Sequence, residues 1–187
     1  GRDWRVRILI EEDLLSLYVD GSCLGNQNVD QNTPAAWGLV VVKGDTGLGK
    51  GSGEIIDEKS AMVITDKHVV GYIGAEVGSN NTAELSGFAA ALRWLLVEGG
   101  TQPAIIRADS QYAGNLAAGV WKAKANRELV ANVQMLWKEV SELRTLSWSD
   151  VRAHRGHRWN ERADHLALRC ANQQSPAPLS FWKPGQR

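Results

Sequence analysis

The chain has few cysteines and no long hydrophobic segment. Its 187 residues include only two cysteines, Cys23 and Cys170, which is too few for a disulfide framework. We therefore expect a reducing intracellular compartment, although two cysteines also allow a single disulfide. No apolar run approaches the ~20 residues that span a bilayer, and no signal segment opens the chain. These shortages argue against a membrane protein and against a disulfide-stapled secreted domain.

The chain also has no net charge, which by itself argues against a polyanionic partner. The charges are unevenly distributed, however. Residues 1–102 hold 8 Lys and Arg against 14 Asp and Glu (−6), and residues 103–187 hold 13 against 7 (+6). A basic half beside an acidic, metal-binding half is compatible with a protein that acts on nucleic acid, whereas ordinary solvated charges are the alternative.

The hydrophobic periodicity predicts an α/β protein with a mixed sheet flanked by helices, in the order βββ-α-β-α-α-β-α. Strands are predicted over 14–20, 35–43, 104–108 and 146–151. A further strand is expected near 62–64 or 69–76, where at least one apolar stretch should pair with the second strand. Helices are predicted over 82–98, 110–118, 128–143 and 160–171. We expect an N-terminal extension (1–13), one catalytic domain (14–172) and a Gln/Ser/Pro-rich flexible tail (173–187).

Four acidic residues stand at the ends of predicted strands or near the starts of predicted helices. They are Asp20, Glu84, Asp109 and Asp164. Each has a purely structural alternative: Asp20 in a turn, Glu84 in a capping box after Asn81, Asp109 as a helix cap, and Asp164 at a favourable dipole position.

Taken together, the four acids favour a metal site. Carboxylates that converge at one sheet edge would repel one another without a cation, and Mg²⁺ prefers oxygen ligands. Two-metal sites of this kind carry out phosphodiester displacement. The pattern therefore predicts metal-dependent phosphodiester chemistry.

The sequence around these acids resembles the type 1 ribonuclease H family, over residues 17–171. The motifs are Asp20-Gly21-Ser22-Cys23-Leu24-Gly25-Asn26, Asn80-Asn81-Thr82-Ala83-Glu84-Leu85, Asp109-Ser110-Gln111-Tyr112, and His154-Arg155-Gly156-His157 followed by Asn160-Glu161-Arg162-Ala163-Asp164. The resemblance implies an RNase H-like fold with a five-stranded mixed sheet. It also implies hydrolysis of the RNA strand of RNA–DNA hybrids, which leaves 5′-phosphate and 3′-hydroxyl ends.

By the same resemblance, the four acids would hold two Mg²⁺ ions, with Mn²⁺ as an alternative metal. Asp20 and Asp109 would flank both ions, Glu84 would serve the ion nearer the leaving oxygen, and Asp164 the ion that activates water. His154 matches the family's flexible-loop histidine, thought to help water or product leave, whereas His157 is expected to order that loop.

The resemblance also assigns contacts with the hybrid. Asn26, Asn80 and Gln111 would read RNA 2′-hydroxyl groups, with turn and cap chemistry as their alternative. Ser79 and Asn126 would bind DNA phosphate, and Trp121 and Lys122 would follow the DNA strand unless Trp121 is a core residue.

The chain departs from the family pattern at several places. Extra residues occur at 27–33 and within 44–68, the stretch between Asp109 and His154 is short enough to reduce the basic handle helix, and Val77 stands where some members have Arg. Alternatives to a free-standing monomeric enzyme are an RNase H domain of a retroelement polyprotein, a hybrid-binding module without catalysis, and a related nuclease that cuts DNA.

Overall fold

A computed structural model describes residues 14–25, 27–47, 49–98, 100–151 and 156–185. This part of the chain contains five strands and four helices in the predicted order. The strands are β1 (Leu15–Cys23), β2 (Ala35–Lys43), β3 (Glu54–Met62), β4 (Ala104–Ala108) and β5 (Leu146–Asp150). The helices are α1 (Asn80–Val97), α2 (Gln111–Ala117), α3 (Arg127–Leu143) and α4 (Arg158–Ala171).

The strands form one mixed sheet in the order β3-β2-β1-β4-β5. β1 pairs antiparallel with β2, which pairs antiparallel with β3. β1 pairs parallel with β4, and β4 parallel with β5. β1 is therefore the central strand, and its carboxyl end lies beside that of β4. The predicted five-stranded mixed α/β fold is confirmed.

The two faces of β1 pack against different helices. Leu17 and Val19 belong to the larger core, which includes buried residues of α1 and α3. Tyr18 belongs to a smaller core with Trp159 and Leu166 of α4. Because side chains alternate along a strand, Asp20 is on the same face as Tyr18. The central strand thus carries an acid at the end of the face that α4 covers.

α4 approaches the sheet closely because β2 has no side chain at Gly38. A Cβ atom at this position would lie 2.2 Å from the carbonyl oxygen of Ala163, which is shorter than any van der Waals contact. The backbones of β2 and α4 therefore touch directly. This contact holds the helix that carries Asp164 against the sheet.

Two predictions about the strands are wrong. β1 does not stop at Asp20 but continues to Cys23, which pairs with Ala35. The third strand is Glu54–Met62, so the stretch predicted near 62–64 contributes only Met62, which pairs with Ala36 of β2, and residues 63–79 contain no strand. β3 is a half-exposed edge strand rich in Asp, Glu and Lys, a composition that protects edges and weakens the hydrophobic signal.

The C-terminal segment packs against α4. Trp182 is only 4% exposed, and its ring lies 5.4 Å from the guanidinium carbon of Arg162 and 5.9 Å from the ring of His165. The backbone of Ala177 donates to His165 Nε2 and accepts from Arg162 Nη1. We propose that this segment is held on α4 rather than flexible. Among the described helices, none combines the length and apolar character needed to cross a membrane.

Candidate active site

Three of the four predicted acids meet at the carboxyl ends of β1 and β4. Asp20 lies within β1 opposite Gly38 of β2, and Asp109 directly follows the last residue of β4. Glu84 extends from the second turn of α1. Ligand oxygens of the three carboxylates all lie within 4.8 Å of one another. We call these three residues the acidic cluster.

Gly21 brings β1 and α1 together at the acidic cluster. Its backbone N–H lies 2.9 Å from Asp20 Oδ1 and 3.1 Å from Glu84 Oε1, so one donor serves both carboxylates. A Cβ atom at position 21 would lie 2.8 Å from both the Glu84 backbone nitrogen and the Ala83 Cβ. The glycine therefore provides the space in which the strand and the helix start meet.

Burial and mutual repulsion disfavour charge on the cluster. Burial raises the pKa of Asp20 well above its usual range, and the charges of Glu84 and Asp109 raise it further. Burial, followed by the charge of Asp109, raises the pKa of Glu84 to about 7. Without a cation, the protein must either bind protons here or bear an unfavourable charge.

The structure rules out the capping alternatives for Glu84 and Asp109. The N-cap of α1 is Ser79, whose side chain accepts from the Thr82 backbone while the Thr82 hydroxyl accepts from the Ser79 backbone. The N-cap of α2 is Ser110, which accepts from the backbone of Ala113. Neither acid is therefore needed as a cap.

Asp164 lies near the acidic cluster but outside the group of three. It is the seventh residue of α4 and is partly buried. Its charge contributes to the raised pKa values of both Asp20 and Glu84, although less than burial does. The negative charge of Asp164, on α4, therefore adds to the repulsion felt by Asp20 and Glu84.

The cluster fits a divalent cation. Glu84 Oε2 is buried and receives no hydrogen bond from any described residue. A buried carboxylate oxygen without a donor is costly unless a proton or a cation compensates it. The three residues offer only carboxylate oxygens as ligands, which is the donor type that Mg²⁺ and Mn²⁺ accept. The residues present therefore suit the predicted metal.

The predicted RNA contacts are only partly described. Asn26 and the catalytic candidate His154 lie outside the described residues. Asn80 is the exposed first residue of α1. Gln111 is the exposed first residue of α2, and its Nε2 donates to Asp150 Oδ2 at 3.0 Å. Asn80 and Gln111 thus begin the two helices that start beside the acidic cluster.

Three of the four predicted DNA contacts lie along the connection between α2 and α3, and the fourth, Ser79, is the N-cap of α1. Trp121 is 47% exposed, so it is not a core residue, and Lys122 is exposed beside it. Asn126 adopts a left-handed backbone conformation and donates to the hydroxyl of Tyr112. These residues line a cavity of about 650 Å³ together with Asn81, Leu116, Val120, Lys124 and Ala125. Residues 118–126 contain no helix, so a handle helix is absent from this connection.

Sequence reasoning missed a buried polar network beneath α4. Asp45 is fully buried and accepts from the hydroxyl of Tyr18, the backbone of Gly47 and the hydroxyl of Ser52. The Tyr18 hydroxyl also lies 3.2 Å from His157 Nε2. His157 is the N-cap of α4, and its Nδ1 accepts from the backbone of Asn160.

This arrangement defines the direction of the hydrogen bonds. Because His157 Nδ1 accepts, Nε2 carries the proton of a neutral ring and donates to the Tyr18 oxygen, and Tyr18 donates to Asp45. The network therefore fixes the first turn of α4 to the central strand. The loop that His157 is predicted to order lies partly outside the described residues. Asp45 stands in a Gly-rich segment, where an acidic residue usually indicates only a turn.

A mixed sheet with an acidic cluster at the carboxyl ends of its central parallel strands is typical of a class of metal-dependent nucleic-acid enzymes. Similarity to known sequences identifies the family within this class. The sequence profile of the RNase H family matches residues 12–172. The chain is 32% identical to Ribonuclease H of Shewanella sp. (strain W3-18-1) over 187 residues, covering 91% of this chain and 96% of that protein. It is 30% identical to Ribonuclease H of Cyanothece sp. (strain PCC 7425 / ATCC 29141) over 176 residues, covering 88% and 93%.

A solved structure has a similar fold. LC11-RNase H1, isolated from compost by a metagenomic approach and solved in complex with an RNA/DNA hybrid, superposes with a TM-score of 0.59 at 21% identity, covering 85% of this chain and 97% of that chain. The chain therefore belongs to the RNase H family and is an enzyme of the ribonuclease H class.

Proposed function

We propose that this enzyme is an endonuclease that hydrolyses the RNA strand of RNA–DNA hybrids with two divalent ions held by Asp20, Glu84, Asp109 and Asp164. The observation that carries the proposal is the acidic cluster, with its three carboxylates within 4.8 Å and the buried, undonated Oε2 of Glu84. LC11-RNase H1, which shares the fold, was solved with an RNA/DNA hybrid.

The chain's own residues position the reaction. Gly21 orients the carboxylates of Asp20 and Glu84 through its single N–H, and Ser79 and Ser110, not Glu84 and Asp109, cap α1 and α2. When bound, divalent ions would lower the pKa of water and neutralise charge on the phosphate, so no protein nucleophile is required. Water attack then leaves 5′-phosphate and 3′-hydroxyl products. All four acids come from one chain, so a monomer would hold the whole site.

The contacts with the hybrid are part of the proposal. Asn80 and Gln111 begin α1 and α2 beside the acidic cluster, where they would meet RNA 2′-hydroxyl groups. The cavity lined by Trp121, Lys122 and Asn126 combines an exposed aromatic ring with cations, the combination that binds single nucleic-acid strands.

Ser79 can act as a cap and as a phosphate ligand at the same time. Its Oγ accepts from the backbone of Thr82, and its hydroxyl proton is directed to Thr82 Oγ1 at 3.1 Å. Turning that proton toward a phosphate would give up only the bond to Thr82 Oγ1. We therefore infer that Ser79 can bind DNA phosphate without uncapping α1.

The test is cleavage of a labelled RNA–DNA hybrid, with matched double-stranded RNA and double-stranded DNA, in Mg²⁺, Mn²⁺ or chelator. We expect metal-dependent cleavage of the hybrid alone, with 5′-phosphate ends. Asp109→Asn should lower the cleavage rate roughly a thousandfold, equivalent to about 4 kcal/mol of lost transition-state stabilisation, and largely retain hybrid binding. Asp66→Asn, at an exposed position, is the matched control and should cleave normally.

Three outcomes would contradict the proposal. If the unmodified protein with Mg²⁺ leaves the hybrid intact but binds it, the chain is a binding module without catalysis. Cleavage of duplex DNA but not of hybrid would indicate the related DNA nuclease. Products with 3′-phosphate and 5′-hydroxyl ends would mean that the 5′-oxygen leaves instead of the 3′-oxygen, which contradicts the proposed cleavage.

A further inference from the structure

Three segments of the chain meet at a second cavity, which no part of the proposed mechanism uses. The cavity has a volume of about 580 Å³. Lys50 contributes from the connection between β2 and β3, Arg158 from the first turn of α4, and Lys183 from the C-terminal segment. Gly156, Glu161 and Trp182 complete most of its wall. We call this cavity the basic groove.

Backbone contacts hold the first two segments in register. The backbone N–H of Arg158 donates to the carbonyl of Lys50 at 2.8 Å, and Trp159 Nε1 donates to the carbonyl of Ser52 at 2.8 Å. A Cβ atom at Gly51 would lie 3.0 Å from the Cβ of Arg158. Lys50 and Arg158 therefore project from one packed unit.

The third segment is fixed by side chains of α4. Trp182 is buried against Arg162 and His165, and the backbone of Gly185 donates to Glu161 Oε2. Lys183 lies between these two anchors in the sequence. Its position at the groove is thus set by contacts on both sides.

The groove has an excess of positive charge. Lys50, Arg158 and Lys183 give three positive charges against the single carboxylate of Glu161 among the lining residues. All three basic residues are exposed. The guanidinium of Arg158 lies 4.7 Å from the centre of the Trp159 ring, which favours a defined orientation. A cation-lined groove of this kind suits a phosphate backbone better than a neutral ligand.

The groove lies one helical turn from a proposed metal ligand. Glu161 lines the groove, and Asp164 is three residues further along α4. Residues three apart on a helix are neighbours with Cβ atoms about 5–6 Å apart. A nucleic-acid strand advances about 3.4 Å per nucleotide along its axis. A strand whose phosphate lies at the acidic cluster could therefore reach the groove within a few nucleotides.

We propose that the basic groove binds the phosphodiester backbone of the hybrid a few nucleotides from the cleavage position, through Lys50, Arg158 and Lys183. This inference rests on the proposed function, since it extends the same substrate beyond the acidic cluster. The groove supplies affinity and orientation without base contacts, so its effect is independent of sequence and sensitive to salt.

The test is the salt dependence of hybrid binding by the double variant Lys50→Gln/Lys183→Gln. Binding to the full chain is measured in Ca²⁺ by anisotropy, with hybrids of increasing length. Each lost phosphate contact should reduce the slope of log K against log[salt] by about 0.9, so we expect a decrease of roughly 2 for long hybrids. Hybrids too short to extend from the acidic cluster to the groove should bind both proteins with equal slopes.

Two controls keep the result interpretable. Lys59→Gln/Lys138→Gln removes two other exposed lysines, from β3 and α3, and should leave the slope unchanged. Circular dichroism and cleavage at low salt check that the groove variant is folded. Arg158→Gln is a third, independent reduction of charge and should lower the slope by about 1.

The possible results separate the two proposals. If the unmodified protein cleaves hybrid and the groove variant keeps the full slope on long hybrids, the groove proposal is wrong and the proposed function stands. An equal loss of slope on short and long hybrids would also overturn it, since the lysines would then act at the acidic cluster. If the unmodified protein does not cleave hybrid, both proposals fail.

Discussion

In the metal-free protein, the stability of the Glu84→Gln variant relative to the wild type should be greater at pH 8 than at pH 5. The pKa of Glu84 is about 7 in the fold against 4.5 for the ordinary side chain. The folded state therefore holds its proton more tightly than the unfolded state, and wild-type stability falls as pH rises from 4.5 through 7. The difference of about 2.5 pKa units corresponds to about 3 kcal/mol. The variant has no proton to lose and escapes this destabilisation.

Thermal unfolding in chelator at pH 5, 6, 7 and 8 measures the effect. For a domain of this size, about 3 kcal/mol corresponds to roughly 6–12 °C in Tm. The Tm of the variant minus that of the wild type should increase by this amount between pH 5 and pH 8. Burial also lowers the pKa of His165, so its contribution to stability grows as pH rises towards 6.5 and is constant above that value. Both proteins contain His165, so the difference cancels its contribution.

Metal should narrow the difference in stability between the variant and the wild type. At a hundred times its Kd, an ion that binds only the folded state adds about 2.7 kcal/mol, which offsets most of the difference of about 3 kcal/mol, and the wild type should gain more than the variant. Glu139→Gln, at an exposed position on α3, should change nothing. If the Tm difference between Glu84→Gln and wild type stays constant from pH 5 to pH 8 in chelator, the burial and repulsion described for the cluster are incorrect.

Two further substitutions test the packing around α4. Trp182→Ala should cost about 3–5 kcal/mol of unfolding free energy because the ring is buried. Phe181→Ala, at a side chain that is 79% exposed, is the control and should cost under about 0.5 kcal/mol. Equal costs for the two variants in urea unfolding would mean that the C-terminal segment is not held on α4. Tyr18→Phe should cost about 1–3 kcal/mol because it removes the hydroxyl that donates to Asp45 and accepts from His157; a stability equal to wild type would exclude a role for this network.

The buried strands and the longer helices could be predicted because their pattern is strong. The strands Ala35–Lys43 and Ala104–Ala108 have the predicted bounds, since both are apolar runs between clear breaks. The helix predicted at 128–143 begins one residue earlier in the structure. β3 escaped prediction because four of its nine residues are charged and none of its side chains is fully buried, which leaves little hydrophobic periodicity.

The acids of the site could be proposed from sequence, but their convergence and the buried contacts around them could not. Each acid alone is explained equally well by a turn or a cap, and only the pairing of β1 with β4 brings Asp20 and Asp109 together. Asp45 and Trp182 gave no local signal, since one follows a glycine in a loop and the other lies in a Pro-rich tail. Asp45 lies 27 residues from its partner Tyr18, and Trp182 lies 20 residues from its partner Arg162. Local sequence patterns do not predict contacts over such separations.

The acidic cluster draws its members from β1, α1 and the end of β4, so no fragment that separates β1 from the later elements contains a complete site. Residues 14–62 carry Asp20 alone, and residues 80–171 carry the other three acids without the central strand. Two such fragments would acquire a full set of ligands only on assembling into the native sheet. The proposed ion site therefore depends on chain topology, and a fragment mixture that binds ions there must have rebuilt the sheet around β1.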